Sequence, residues 1–314
     1  MQQLLKDVRC VARSNRPVLI TGPTGSGKEV VAAHIHRFGD RRHSAFIPIN
    51  CGAIPETLIE SELFGHERGA FTGATQASDG YLGTVRDGTL FLDEVGELPL
   101  VQQTRLLRVL ETRCFAPIGS ARQHKFHGRI MAATHKDLKQ MVLEGKFRED
   151  LYYRIGVLVL RIPGLNERRE DIPKLVTYMA SDQIRTLRFS SGALAALTQA
   201  DWPGNIRQLR NIVDRIAVLS DDDPVTKDTV RRFISDRNRS MQETLDTITA
   251  KILGLDLENK LHCLQSSMIR HALQKTGGNK SAAARLLGVH RKFLERKLQA
   301  EGGSFFQTLS MEKH

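Results

Sequence analysis

The string GPTGSGK at residues 22–28 combines residue types suited to holding a polyphosphate. Gly22, Gly25 and Gly27 allow the tight backbone turns that face N–H groups towards phosphate oxygens, with Pro23, Thr24 and Ser26 completing the loop; Lys28 adds a fixed positive charge. The preceding VLIT reads as a strand and the pattern from Lys28 as a helix, whose N-terminus contributes partial positive charge. Further on, TLFLDE (89–94) is an apolar run ending in two acids. Asp93 is suited to holding Mg²⁺ or its water, and Glu94 to orienting or activating an attacking water. Glu29 stands where Ser or Thr normally reaches the metal, so Mg²⁺ must lean on Asp93, water and the phosphates. A glycine-rich surface turn, or an acidic turn after a core strand, would account for either string alone. Their pairing favours ATP hydrolysis, with ATP and Mg²⁺ as cofactors.

Between these halves lies GAFTGA (69–74), which ATP chemistry does not need. Gly69, Ala70, Thr72, Gly73 and Ala74 make a small, uncharged loop tip, and Phe71 offers one apolar anchor. On composition alone, Phe71 reads equally well as that anchor or as a core residue under a turn. Two arginines, Arg148 and Arg154, lie in GKFREDLYYR beside Glu149 and Asp150, and spacing does not assign them a role.

These residues need a scaffold. VLI (18–20), AFIPIN (45–50), TLFLD (89–93), RIMAAT (129–134) and VLVLRI (157–162) are strand candidates spaced to leave room for a helix in each crossover. This predicts a three-layer α/β/α domain with a parallel sheet over 1–165, followed by a helical lid over 166–235. A polar tether over 236–262, a basic all-α unit over 263–302 and a tail over 303–314 complete the expected organisation.

The 314 residues are 40% hydrophobic, enough for a substantial core, and no 18-residue apolar stretch or signal pattern occurs. A cytoplasmic protein without membrane association is expected. The four cysteines are isolated, which argues against a disulfide frame or a zinc site. The net charge is +11, and between Cys263 and Gly302 eight Lys or Arg face two acids. Over half the excess charge thus sits in IRHALQKTGGNKSAAARLLGVHRKFLERKL, where Ile269, Leu273, Ala283, Leu286, Leu287, Leu294 and Leu298 fall at helical spacing. It reads as a helix-turn-helix for double-stranded DNA, with His290, Arg291, Lys292, Glu295 and Arg296 towards base edges and Lys280 and Lys297 towards phosphates. A basic bundle serving only subunit association is the plainer alternative.

Together, SELFGHERGAFTGA, GTLFLDEVGEL, LLRVLE, GKFREDLYYRI, ERREDI and WPGNIRQLRN resemble the AAA+ activators of bacterial sigma-54 RNA polymerase, the enhancer-binding proteins. The C-terminal unit resembles their Fis-type DNA-binding domain. The resemblance implies that Lys28 is the Walker A lysine, that Asp93 and Glu94 are the Walker B pair, and that Asn50 is the switch residue restraining the glutamate. It makes Arg148 and Arg154 arginine fingers entering a neighbouring subunit, Arg207 the sensor II arginine, and Phe71 and Thr72 the sigma-54 contacts. It also implies a homo-oligomer from dimer to hexamer, and makes Glu29 ordinary. Three positions depart from the pattern: His135 replaces a common Asn, leaving Thr134 as the polar sensor; Asn166 replaces Arg; Phe293 replaces Thr. With about 20 residues before the phosphate loop, no N-terminal regulatory domain is expected. Control is then expected from a separate protein acting in trans, from expression level, or from a part absent from this sequence. A non-catalytic repressor built on an AAA+ scaffold and an AAA+ unfoldase are the rival readings; intact catalytic residues argue against the first and the helix-turn-helix against the second.

Overall fold

The computed structural model describes residues 2–183, 187–235, 252–254 and 260–300. Most of the expected tether and all of the expected tail lie outside the described residues. Two compact units are present, Met1–Ile234 and Ser235–His314.

In the first unit, all five anticipated strands form: β1 (Val18–Thr21), β2 (Phe46–Asn50), β3 (Thr89–Asp93), β6 (Arg129–Thr134) and β7 (Leu158–Arg161). They make one parallel sheet in the order β2-β3-β6-β1-β7. Side chains alternate across it. Leu19, Leu90, Leu92, Ile130 and Ala132 pack into the core on one face, and Val18, Ile20, Phe91, Met131 and Ala133 into the core on the other. Burial on both faces is why β1, β3 and β6 read as continuous apolar runs. β2 and β7 are the two edge strands, and Val159 of β7 is exposed.

The helices of this body are α1 (Gln2–Ala12), α2 (Lys28–Arg37), α3 (Glu56–Phe64), α4 (Gly80–Thr84), α5 (Leu100–Thr112), α6 (Leu138–Leu143) and α7 (Glu149–Ile155). A two-stranded antiparallel hairpin, β4 (Cys114–Phe115) with β5 (His124–Lys125), projects after α5. Helices α8 (Ile172–Ser181), α9 (Ser191–Gln199) and α10 (Asn205–Leu219) form the lid, closed around Trp202, Leu209 and Val213. Because parallel strands end together, Thr21, Asn50, Asp93 and Thr134 gather at the carboxyl edge of the sheet, where open α/β sheets place their ligands.

Among the described residues of the second unit, α11 (Lys260–Lys275), α12 (Lys280–Leu286) and α13 (Arg291–Ala300) pack around Ile269, Leu273, Ala283 and Leu294. Leu286 departs from the anticipated apolar face and is exposed. At 100° per residue it falls well off the arc shared by Ala283, Ala284 and Leu287. Among the described residues no helix is long and apolar enough to cross a membrane.

Candidate functional site

Gly22 to Gly27 turn from β1 into α2 with φ of 159°, 74° and 97° at the three glycines, and Gly27 caps the helix in the left-handed region. Ser26 and Lys28 are buried while Glu29 is exposed in the first helical turn. Lys28 Nζ donates to Gly22 O at 3.2 Å and lies 3.5 Å from Glu94 Oε1. The lysine thus spans from the phosphate loop to the end of β3, where Asp93 Oδ1 accepts the Glu94 N–H at 3.0 Å. Burial pushes the Asp93 carboxyl up, with the Glu94 charge adding to it against the pull of that N–H, Lys28 and Arg207.

Glu94 has φ 52°, a conformation that costs a non-glycine residue energy and aims its carboxylate out of the strand line. Its Oε2 accepts the His135 backbone N–H at 3.3 Å and meets His135 Nδ1 at 2.6 Å. Burial raises the Glu94 pKa, but the His135 hydrogen bonds and Lys28 outweigh it and the net shift is downward. Asn50 pairs with Asp93 in strand register, yet its Oδ1 accepts from Gly52 N–H at 2.9 Å. The side chain that meets Glu94 alongside Lys28 is His135, noted from sequence only as a departure. Thr134 is fully buried; its Oγ1 accepts from Lys136 N–H and its carbonyl from Gly22 N–H. Buried beside the two acids, the Cys51 thiol is pushed up to about 12.

Arg207 opens α10 over the phosphate loop, its N–H 3.4 Å from Gly25 O. Asn166 takes the Trp202 N–H at 3.0 Å, so this departure has a lid-building partner. Arg148 is bound in a fork to Asp150 at 3.0 and 2.7 Å, and Arg154 donates to Leu110 O at 2.9 Å. Their hydrogen bonds stay on their own segment and α5. Gln103, unnoticed in the sequence, is wholly buried and donates to Leu98 O and Lys146 O while accepting from Arg148 N–H. It ties the segment after Glu94 to the loop carrying Arg148.

GAFTGA sits in the α3–α4 connection. Gly69 N–H reaches Ala74 O at 2.9 Å and Ala74 N–H reaches Phe71 O at 3.1 Å, closing a tight turn. A Cβ on Gly69 (φ 81°) or Gly73 (φ 103°) would meet nothing within 4 Å. Phe71 is 40% exposed and packs edge-on against His66, ring centroids 5.0 Å apart. Ala74 is buried. Ala70 abuts Gly119 of the β4–β5 hairpin, where an added Cβ would lie 2.9 Å from the Ala70 Cβ. No sequence period announced the β4–β5 hairpin, whose strands are two residues each.

In the C-terminal unit, Gly277, Gly278 and Gly288 take positive φ at the turns. Asn279 caps α12 through the N–H groups of Ser281 and Ala282, and His290 Nδ1 accepts Lys292 N–H as α13 starts. Lys280, His290, Arg291, Lys292, Phe293 and Arg296 are exposed, while Glu295 and Lys297 are half-buried. Arg291 is engaged by Glu295 at 2.8 Å and by Ser281 Oγ at 3.3 Å, so reading a base would require it to exchange partners.

Residues 1–161 match the Sigma-54 interaction domain, 166–247 the AAA+ ATPase lid domain and 264–300 the bacterial regulatory protein, Fis family. The transcriptional regulatory protein GlrR of Escherichia coli K12 is 40% identical over 92% of this chain and 66% of its own length. The DNA-binding transcriptional regulator NtrC of Rhizobium meliloti is 37% identical over 98% of this chain and 69% of its own. The chain thus spans about two thirds of the length of such relatives. The crystal structure of NtrX from Brucella abortus in complex with ATP has a TM-score of 0.67 at 34% identity, covering 96% of this chain and 68% of that one. With the Sigma-54 interaction domain over half its length and these relatives across nearly all of it, the chain belongs to the AAA+ sigma-54 activator family.

Proposed function

We propose that this chain is a sigma-54-dependent transcriptional activator that hydrolyses ATP to remodel the closed complex of RNA polymerase holoenzyme into the open one, held at enhancer DNA by α13. The observation that carries this reading is the Lys28–Glu94 approach at 3.5 Å, in the same body as an exposed Phe71 at the tip of GAFTGA. Lys28 and the loop amides bind the β- and γ-phosphates, and Glu94 receives a proton from the attacking water. The half-buried Asp93 carboxylate suits a hard cation, and with Glu29 in place of a hydroxyl it is the one protein ligand we assign to Mg²⁺. That ion would neutralise phosphate charge.

Arg148 and Arg154 act in this reading across a homo-oligomeric interface, up to a hexamer. They would exchange Asp150 and Leu110 O for a neighbour's phosphate, an effect on the order of 10³ to 10⁵ in rate. Asn50 serves as the switch, Thr134 and Arg207 sense the nucleotide, and a regulator acting in trans supplies control. The domain limits anticipated from sequence, 1–165, 166–235 and 263–302, are retained here as part of the proposal.

Phe71→Ala tests the reading: it should hydrolyse ATP at the wild-type rate yet fail to open a sigma-54 promoter in a permanganate footprint. Normal opening by that variant would refute the coupling.

A further inference from the structure

Three consecutive carbonyls of the phosphate loop accept hydrogen bonds from the lid side. Thr24 O takes Asn205 Nδ2 at 2.9 Å, Gly25 O takes Ile206 N–H at 2.9 Å, and Ser26 O takes Arg168 Nη2 at 2.8 Å. Asn205 and Arg168 are both buried. The other end of the Asn205 amide, Oδ1, accepts Leu165 N–H at 2.7 Å on the segment entering the lid. One side chain therefore joins the loop, the lid entrance and the start of α10. Asn205 does so from φ 52°, a left-handed conformation that Asn adopts more readily than most residues.

In a trans peptide, the carbonyl of one residue and the N–H of the next point in opposite directions. Holding Thr24 O and Ser26 O against the lid therefore turns the Gly25 and Gly27 N–H groups to the opposite side, the side a phosphate must occupy. Ser26 N–H, between them, closes a turn onto Pro23 O at 3.2 Å. The packing leaves no slack, since a Cβ on Gly25 would stand 2.5 Å from Gly204 O.

We propose that Asn205 and Arg168 are positioning residues for the nucleotide: they fix the phosphate-facing amides from behind, making ATP affinity depend on the lid's grip on the loop. This rests on the ATP-binding reading above. Because the amides face the bound nucleotide in ground state and transition state alike, the effect falls on binding and leaves turnover at saturation unchanged.

The test uses the whole chain, at a concentration that saturates assembly. Binding is followed with methylanthraniloyl-ADP and turnover by steady-state ATP hydrolysis. Asn205→Asp keeps the acceptor for Leu165 N–H and loses the donor to Thr24 O. Asn205→Gly tolerates the left-handed backbone and loses both, which keeps the test open if the aspartate variant misfolds. Arg168→Met removes the donor to Ser26 O, and Arg168→Lys restores one. Dissociation constants and KM are expected to rise about five- to tenfold in Asn205→Asp, Asn205→Gly and Arg168→Met, with kcat within about twofold of wild type and Arg168→Lys partly rescued. Unchanged affinity in folded Asn205 and Arg168 variants, or a fall in kcat at constant KM, would overturn the inference while leaving the ATPase reading intact. A wild-type chain that bound no ADP would overturn both.

Discussion

His135→Ala should destabilise the body through Glu94, and the size of the effect follows from the geometry. The Nδ1–Oε2 distance of 2.6 Å is that of a strong hydrogen bond to a carboxylate. Such bonds contribute roughly 1.5–3 kcal/mol when shielded from water. Glu94 is 16% exposed but His135 is 40% exposed, so solvent screening reduces the figure to about 1 kcal/mol. For a body of this size, about 1 kcal/mol lowers the melting temperature by about 2–4 °C. The pH dependence has a definite sign. The folded pKa of Glu94 lies below its ordinary value, so its stabilisation is complete above that value and is lost as pH falls through the lowered one. Removing the His135 side chain leaves only Lys28 and the residue-135 backbone N–H to oppose burial, so the carboxyl moves up from its lowered position; the deficit is full at neutral pH and shrinks in acid. The assay is thermal unfolding of wild type, His135→Ala, Glu94→Ala and the double variant. The histidine substitution should cost little once Glu94 is gone; an equal cost in both backgrounds would refute the pairing.

Lys28→Ala is expected to abolish methylanthraniloyl-ADP binding, whereas Glu94→Ala should still bind and hydrolyse at least about 100-fold more slowly. Gln103→Leu leaves Leu98 O, Lys146 O and Arg148 N–H without the partner that now serves all three. It should cost about 3 kcal/mol in urea unfolding, and a loss under about 0.5 kcal/mol would contradict the bonding described. Cys51, 2% exposed with its pKa pushed up to about 12, should resist Ellman's reagent at pH 8, where the exposed Cys10 and Cys263 react. Rapid labelling of Cys51 in the folded chain would contradict its burial.

What the sequence discloses here depends on how local the determining physics is. The three central strands are legible because burial on both faces makes each a short apolar run, and the phosphate loop because its turns need glycine at fixed spacing. Partnerships across the fold are not. His135 meets Glu94 only because β3 and β6 are neighbours and Glu94 leaves its strand in a left-handed turn. Asn205 lies 181 residues from Thr24, so no window of sequence contains both ends of that bond. Leu286 shows the opposite failure, a residue of the right type at helical spacing on a helix too short for its face to be read.

The setting of GAFTGA gives the proposed coupling its mechanical basis. At the base of the insertion Gly65 and Gly80 take φ of 79° and 61° and pack back to back, so tightly that a Cβ on Gly80 would lie 2.2 Å from Gly65 N. His66 and Ser78 exchange two backbone hydrogen bonds at 2.9 and 2.8 Å, while Gly65 O and Glu67 N–H bond to Ile118 in the β4–β5 hairpin. The tip is closed by bonds within itself, Gly69 N–H to Ala74 O and Thr75 N–H to Gly73 O, and a Cβ on Gly69 or Gly73 would meet nothing within 4 Å. A loop loose throughout would dissipate a shift of α3 or α4, and one packed throughout would have no surface to offer a partner. A pinned base beneath a tip that bonds mainly to itself does neither: in the proposed coupling, a displacement entering at Gly65 and Gly80 would reach Phe71 through His66, on which its ring rests at the edge of the clamped segment.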